Sequence, residues 1–359
     1  MHSYGTGFRF LEVSQESLPK YENFIIDSLR KATAVGFTVH SPISPSTTSQ
    51  LGDETLEEWY ARNKTAALHE EIISVGLAAA HCSEDNIDAT TGEPTKIVFQ
   101  NFNLTTCTMA PSKVRREDML RMLDLGYDYN YIAGAGIPYY RGRDDTINQS
   151  EISQKIRKVF MGVHGSGDGC HPVIVRNGLS DLLMAMSAFV GILSDTAKEH
   201  LQRIHDLFPG KVYDAALLSD QSALSWDGLP FRCDFSLDGA DDCDVFSLSH
   251  DVGERTVQTK APNTKHPAAL DAFENLMAFL HCLSAKKGIK RLLKSTAASP
   301  VMEMNEFENR ISCPGMKMPV LVEPIPTSRF ASSKRKRANF DFTIPLSDVV
   351  TDKRHNPGC

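Results

Sequence analysis

The chain has 359 residues, of which 41% are hydrophobic and 23% charged, with a net charge of −7. This is the composition of a globular protein, not a disordered one, and the length suits two domains or one large domain with a tail. Net acidity excludes a bulk attraction for nucleic acid or anionic membrane, so any such attraction has to come from a local patch.

Residues 8–13 alternate as a strand does. Leu18, Tyr21, Ile25, Ile26 and Leu29 recur at helical spacing and predict a helix over 17–31. A Ser/Pro/Thr-rich loop spans 41–50. Thr55 to His81 is expected to form one helix opened by a Thr55-x-x-Glu58 capping box, with Trp59, Leu68, Ile72, Val75 and Leu77 on its apolar side. After a polar loop, residues 96–109 read as β, and 112–125 as a helix stopped by Gly126. Residues 127–143, rich in Tyr and Gly, leave their conformation open. A helix over 150–161, a glycine loop over 162–169 and a strand over 173–175 follow.

Residues 180–208 read as helical with a break near Ser194-Asp195. The longest apolar run, Leu182–Leu193, holds 12 residues where a membrane span needs roughly 20, so a buried helix is expected. Residues 231–237 alternate as a half-buried strand. Pro267 opens the clearest helix, 267–294, whose apolar face is Leu270, Phe273, Leu276, Met277, Leu280 and Leu283. Together these elements predict a mixed α+β fold. Its helix-dominated globular core covers residues 1–295, with a subdomain division near 141–150. An irregular, Pro/Ser-rich basic extension covers 296–359, with one strand at 340–344.

The eight cysteines lie scattered with no C-x-x-C pair, which fits reduced thiols and neither a disulfide scaffold nor a zinc ribbon. The first residues lack a basic stretch followed by an apolar one, so no signal peptide is read there. A cytoplasmic or nuclear protein is expected, with no membrane partner and no cofactor.

Five features could carry chemistry. Lys286, Lys287, Lys290, Arg291 and Lys294 crowd one stretch of the last helix, and residues 282–337 hold 12 Lys/Arg against 4 Asp/Glu. Such a cluster can meet phosphates or simply face solvent. Lys334, Arg335, Lys336 and Arg337 fit a nuclear-localisation signal or a nucleic-acid arm. The loop 162–171 offers His164, Asp168, Cys170 and His171 as an acid/base or metal cluster, or else is a flexible turn. Its order is the reverse of a dinucleotide fingerprint, and it lacks the Gly-Lys-Ser/Thr of a phosphate loop. Asp238, Asp241, Asp242 and Asp244 (with Asp234 nearby) are a weak cation candidate whose spacing fails the EF-hand pattern. The tyrosines of 127–140, with Arg141 and Arg143, could stack bases, form an interface or pack internally.

No G-x-S-x-G, H-E-x-x-H or kinase motif occurs. The chain is charge-segregated instead, acidic around 214–254 and basic around 286–337. The expectation is therefore a non-enzymatic binding or assembly protein of nucleocapsid or capsid type, a homo-oligomer that could hold nucleic acid. The rival is an enzyme with its site at the 162–171 loop.

Overall fold

A computed structural model describes residues 8–42, 54–91, 94–109, 114–140, 151–162, 171–191, 193–208, 211–218, 231–248, 266–285, 309–311 and 320–322. All belong to the compact unit Met1–Pro324. The elements in chain order are β1 (Phe8–Val13), α1 (Leu18–Lys31), β2 (Ala34–His40), α2 (Leu56–Ala67), β3 (Ser74–His81), β4 (Lys96–Thr108), α3 (Arg116–Asp124), α4 (Tyr129–Ala135) and β5 (Ile137–Tyr139). They continue with α5 (Glu151–Gly162), β6 (Val173–Val175), α6 (Leu179–Ala185), α7 (Ala197–Leu207), β7 (Val212–Asp214), α8 (Ala215–Leu218), β8 (Arg232–Phe235) and β9 (Val245–Leu248). α9 (Ala268–Ala285), β10 (Arg310–Ile311) and β11 (Val320–Leu321) complete the set.

The fold is mixed α+β, as the sequence predicts. A central sheet runs β7-β6-β2-β3-β4-β1-β9, with β5 and β8 also paired to β4. β3 is antiparallel to both β2 and β4, while β6 and β7 extend the other edge of β2 in parallel. Along β4, the strands β8, β1 and β5 follow one another, pairing at Lys96–Phe99, Phe102–Leu104 and Thr106–Thr108. Alternate residues of the strands serve two cores. Val35, Phe37, Val39, Val75 and Leu77 face α1, α2, α5, α6 and α7. Ala34, Ala78, Ala80, Ile97 and Phe99 face α9.

α9 behaves as its apolar stripe predicts: Leu270, Phe273, Leu276, Met277, Leu280 and Leu283 are all buried. It crosses β2 and β3 at glycines. A methyl at Gly36 or Gly76 would run into the backbone carbonyl of Ala272 or Ala268. The capping box of α2 is present, with Thr55 and Glu58 satisfying each other's backbone N–H groups. Gly126, at φ 85°, ends α3 in the left-handed region that a side chain would strain.

The helix expected over 55–81 is corrected. It stops at Ala67, and Ser74–His81 is the strand at the centre of the sheet. Ala-Ala-Ala favours a helix in isolation. Here it is a strand because it is buried on both faces, and its small side chains let α9 lie close. Residues 309–311 and 320–322, expected within the irregular extension, form a small antiparallel pair. Asn309 holds it to β7 by backbone and side-chain hydrogen bonds with Val212. The expected subdomain division at 141–150 and the strand at 340–344 lie outside the described residues.

Candidate active site

A pocket of about 310 Å³ opens beside the C-terminal end of β2. Ligands of open α/β sheets gather at such strand ends, where loops diverge and backbone groups are left to bond. His40 closes β2, Asp181 projects from the first turn of α6, and His266 and Asp271 bracket the start of α9; all four line the pocket. Arg121 and Glu70 line it as well.

Each of these side chains is placed by its own support. Asp214 accepts hydrogen bonds from the N–H groups of Asn177 and Gly178, which holds the turn that starts α6 and so aims Asp181. One Asp181 oxygen accepts the Val39 N–H at 3.0 Å. The first turn of α9 is anchored by Asn103, whose carbonyl oxygen accepts from the Ala269 N–H and the Ser74 hydroxyl. That satisfies one of the donors a helix leaves open at its start. The Asn103 amide in turn donates to Glu12, whose carboxyl burial pushes up to about 7.

Asp271 sits between two imidazoles. His40 Nε2 lies 2.7 Å from Oδ2 and His266 Nε2 lies 2.7 Å from Oδ1. The rings stack 6.0 Å apart, 3° from parallel. Burial pushes Asp271 up, but the hydrogen bonds from His266 and His40 outweigh it and hold the carboxyl well below the usual range. An ionised Asp271 only accepts, so both Nε2 atoms donate. The other His40 nitrogen, Nδ1, lies 2.5 Å from the Tyr127 hydroxyl, which also donates to the His266 carbonyl oxygen. Asp181 is the opposite case. Burial, with the nearby negative charge of Asp271 and Asp214, raises it to about 7 in spite of the Val39 hydrogen bond. The pocket thus holds two carboxyls whose environments drive them apart, the pattern expected of an acid and a base at neutral pH. Arg121 reaches across the pocket wall to the carbonyls of Ser41 and Pro42.

Of the candidate residues named from sequence, none that the structure describes lines the pocket. His164, Asp168, Cys170, Lys286, Lys287, Lys290, Arg291, Lys294, Lys334, Arg335, Lys336 and Arg337 fall outside the described residues. His171 is buried just before β6 and does not line the pocket. Asp238 accepts from the Ser236 hydroxyl, Asp241 pairs with Lys20, and Asp244 accepts from the Tyr21 hydroxyl. Asp242 opens a short 3₁₀ turn between them. Ligand atoms of Asp241, Cys243 and Asp244 gather together, the one such group among the described residues, on an exposed surface. Tyr127 and Tyr139 are core residues, and the Tyr139 hydroxyl accepts the Ile72 N–H. Sequence reasoning missed Asp181, Asp271, His266 and His40. The available signal was an ionisable residue set in an apolar run: Asp181 amid Leu179–Leu193, and Asp271 amid the apolar face of α9.

Residues 144–279, which carry Asp181, His266 and Asp271, match the family described as CAF1 family ribonuclease. Among solved structures, the chain is similar to the RNase domain of yeast Pop2, with 12% identity over 78% of this chain and 87% of that one, at a TM-score of 0.47. It is also similar to S. pombe Pop2p in a Mg2+- and Mn2+-bound form, with 13% identity over 77% and 92% and a TM-score of 0.48. A yeast NOT1 MIF4G domain co-crystallised with CAF1 gives 11% identity over 80% and 93%, at 0.47.

The family match overturns the expectation of a non-enzymatic, capsid-type assembly protein, and the emphasis on self-assembly and oligomers goes with it. That expectation took missing local motifs for a missing site. Only His266 and Asp271 of the pocket's acid and base groups are close in the chain; His40, Glu70 and Asp181 come from distant segments. No helix among the described residues is long and apolar enough to cross a membrane.

Proposed function

We propose that this chain is a ribonuclease whose reaction takes place in the pocket between β2, α6 and the start of α9. The observation that carries the reading is convergence. Asp181, His266 and Asp271, all within the stretch that resembles the ribonuclease family, meet in one pocket with carboxyls of opposite character. RNA is the partner, and Arg121 offers its phosphate a guanidinium on the pocket wall.

In this reading a water attacks phosphorus and His266, oriented by the ionised Asp271, takes its proton. The new P–O bond forms as the bond to the leaving ribose oxygen breaks. Asp181, protonated for part of the time near pH 7, supplies that oxygen with a proton. General acid–base assistance of this kind contributes typically about 10²–10⁴-fold.

Nucleases of many kinds use a pair of divalent cations, and one of the similar structures is a Mg2+- and Mn2+-bound form. The donors here do not fit such a pair. Each such cation is held by one or two carboxylates with oxygens open to it, waters and substrate phosphates filling the rest of its coordination. This pocket is lined by the carboxylates Asp181, Asp271 and Glu70, and both Asp271 oxygens already accept from imidazoles. No step is assigned to a metal pair.

The test is shortening or cutting of RNA by the purified full-length chain, followed with label at either end, for wild type, Asp181→Asn and His266→Gln. The wild type should cleave, and both variants should lose at least about tenfold. Cleavage unaffected by either substitution, or none by the wild type at micromolar protein, would overturn the reading.

A further inference from the structure

We infer that the His40 imidazole occupies the position at Asp271 that a divalent cation would take, so that a directed side-chain hydrogen bond stands there in place of a metal. The inference deepens the proposed hydrolysis and rests on this pocket being its site. Its test reads metal binding directly, so the two can fail separately.

Three observations carry it. First, Asp271 is shared. Its Oδ2 holds His40 and its Oδ1 holds His266, each at 2.7 Å, so neither oxygen faces the pocket without a donor already on it. Second, His40 is fixed from behind. Its other nitrogen meets the Tyr127 hydroxyl, Tyr127 is buried, and the ring stacks parallel to His266. Moving His40 off Asp271 would break both of its hydrogen bonds. Third, the residue lies at the end of a strand whose register is fixed on both sides: β2 pairs with β3 through His40 itself, and with β6 at Val35 and Gly36. His40 therefore points to Asp271 by sheet geometry rather than by a loop that a cation could easily rearrange. Among the described residues, the pocket's acids and imidazoles do not gather as a set of three ligand atoms. Asp241, Cys243 and Asp244 do, and none of those lines the pocket.

An imidazole that donates to a carboxylate stabilises it through a single directed hydrogen bond, where a cation would offset its charge outright. It leaves no coordination position for a phosphate oxygen. The consequence is specific: replacing His40 by a carboxylate should convert the pocket into a cation site, since ligand charge sets the affinity of oxygen sites for divalent ions.

The experiment measures Mn2+ uptake by the full-length chain, by the loss of the free-ion electron paramagnetic resonance signal. Wild type, His40→Glu and the double variant His40→Glu/Asp181→Asn are compared, with near-ultraviolet circular dichroism as a check on packing. Wild type should show only weak uptake, of the strength expected of the exposed Asp241–Asp244 surface. His40→Glu should bind at least about tenfold more tightly, and the double variant should lose that gain. If His40→Glu does not fold, the shorter carboxylate of His40→Asp serves, with a tighter Mn2+ site again expected and its absence counting against the idea. Wild-type uptake of one or two Mn2+ at micromolar concentration that Asp271→Asn abolishes would overturn the inference, as would unchanged uptake in His40→Glu. If the Mn2+ pattern holds while wild-type RNA cleavage fails, the hydrolysis reading falls and this one stands.

Discussion

Asp181→Asn should make the protein more stable above neutral pH while it removes activity. Burial raises Asp181 from 3.8 to about 7. A carboxyl with a raised folded-state pKa favours the folded state fully below its unfolded value, and that contribution is lost as pH rises through the folded value. For Asp181 the loss runs between about pH 4 and pH 7. At 1.36 kcal/mol per pKa unit it approaches roughly 4 kcal/mol, an upper figure for a pocket-lining group that water reaches. Asn does not titrate, and its carbonyl oxygen still accepts the Val39 N–H that Asp181 accepts. The variant and the wild type should therefore be nearly equally stable at pH 4 and diverge by roughly 2–4 kcal/mol in favour of Asn at pH 8.5. Urea unfolding at four pH values reads this directly, provided the slope with denaturant is the same for both proteins. Glu12, also raised to about 7, adds a slope common to both, so the difference between the curves isolates Asp181. A variant no more stable than the wild type at pH 8.5, or a difference that does not grow with pH, would refute the reasoning.

Three other expectations follow from packing and burial. Gly76→Ala drives a methyl into the Ala268 carbonyl and should cost roughly 1–3 kcal/mol or more, seen as a fall in melting temperature, with RNA cleavage lost because α9 carries Asp271. His200 is buried and, among the described residues, neither ring nitrogen has a hydrogen-bond partner; burial, then Arg203 and Lys64, lowers it from 6.5 to about 3. Its folded pKa is depressed, so its contribution is present above pH 6.5 and is lost as pH falls. His200→Leu should accordingly resist acid better than wild type by roughly 3 kcal/mol at pH 4, measured by urea unfolding at pH 4 and 7. Leu280→Ala, at a fully buried position of α9, should cost about 2–5 kcal/mol by the same measurement, and a loss below about 1 kcal/mol would mean the site collapses around the gap.

What was legible in the sequence was whatever local chemistry decides. α1 and α9 announce themselves by apolar residues at helical spacing, α2 by its capping box, β8 by clean alternation. β2 and β3 do not. Both faces of β3 are covered, so its residues have no reason to alternate, and Gly76 and Ala78–Ala80 are small because a helix lies on them. Sequence propensity reports the isolated chain, and here tertiary burial overrides it. The site was hidden for a related reason. His40, Asp181 and Asp271 come from a strand end, a helix of 7 residues and the first turn of another helix. Only the sheet order, with β6 beside β2 and α9 across β2 and β3, brings them into one pocket. Searching for a short motif led instead to the glycine loop and the basic runs, where charge and glycine are dense along the chain.

β4 has a consequence for how the chain assembles. It is 13 residues long and lies beside β3, the strand just before it, from Val98 to Thr105. It also receives three other segments in succession: β8 from beyond residue 230, β1 from the N-terminus and β5 from close by. The β3–β4 pair is local and can form early, because closing a short loop costs little. β1 and β8 are distant in sequence, and each must find its own short stretch of the same strand, so their loop-closure cost comes before their reward. During synthesis β4 therefore waits with part of its length unpaired until residues 232–235 have emerged, whereas β1 is already at hand. Folding should be slow for the chain's size, with the β8 end of β4 the last part of it to gain protection from hydrogen exchange.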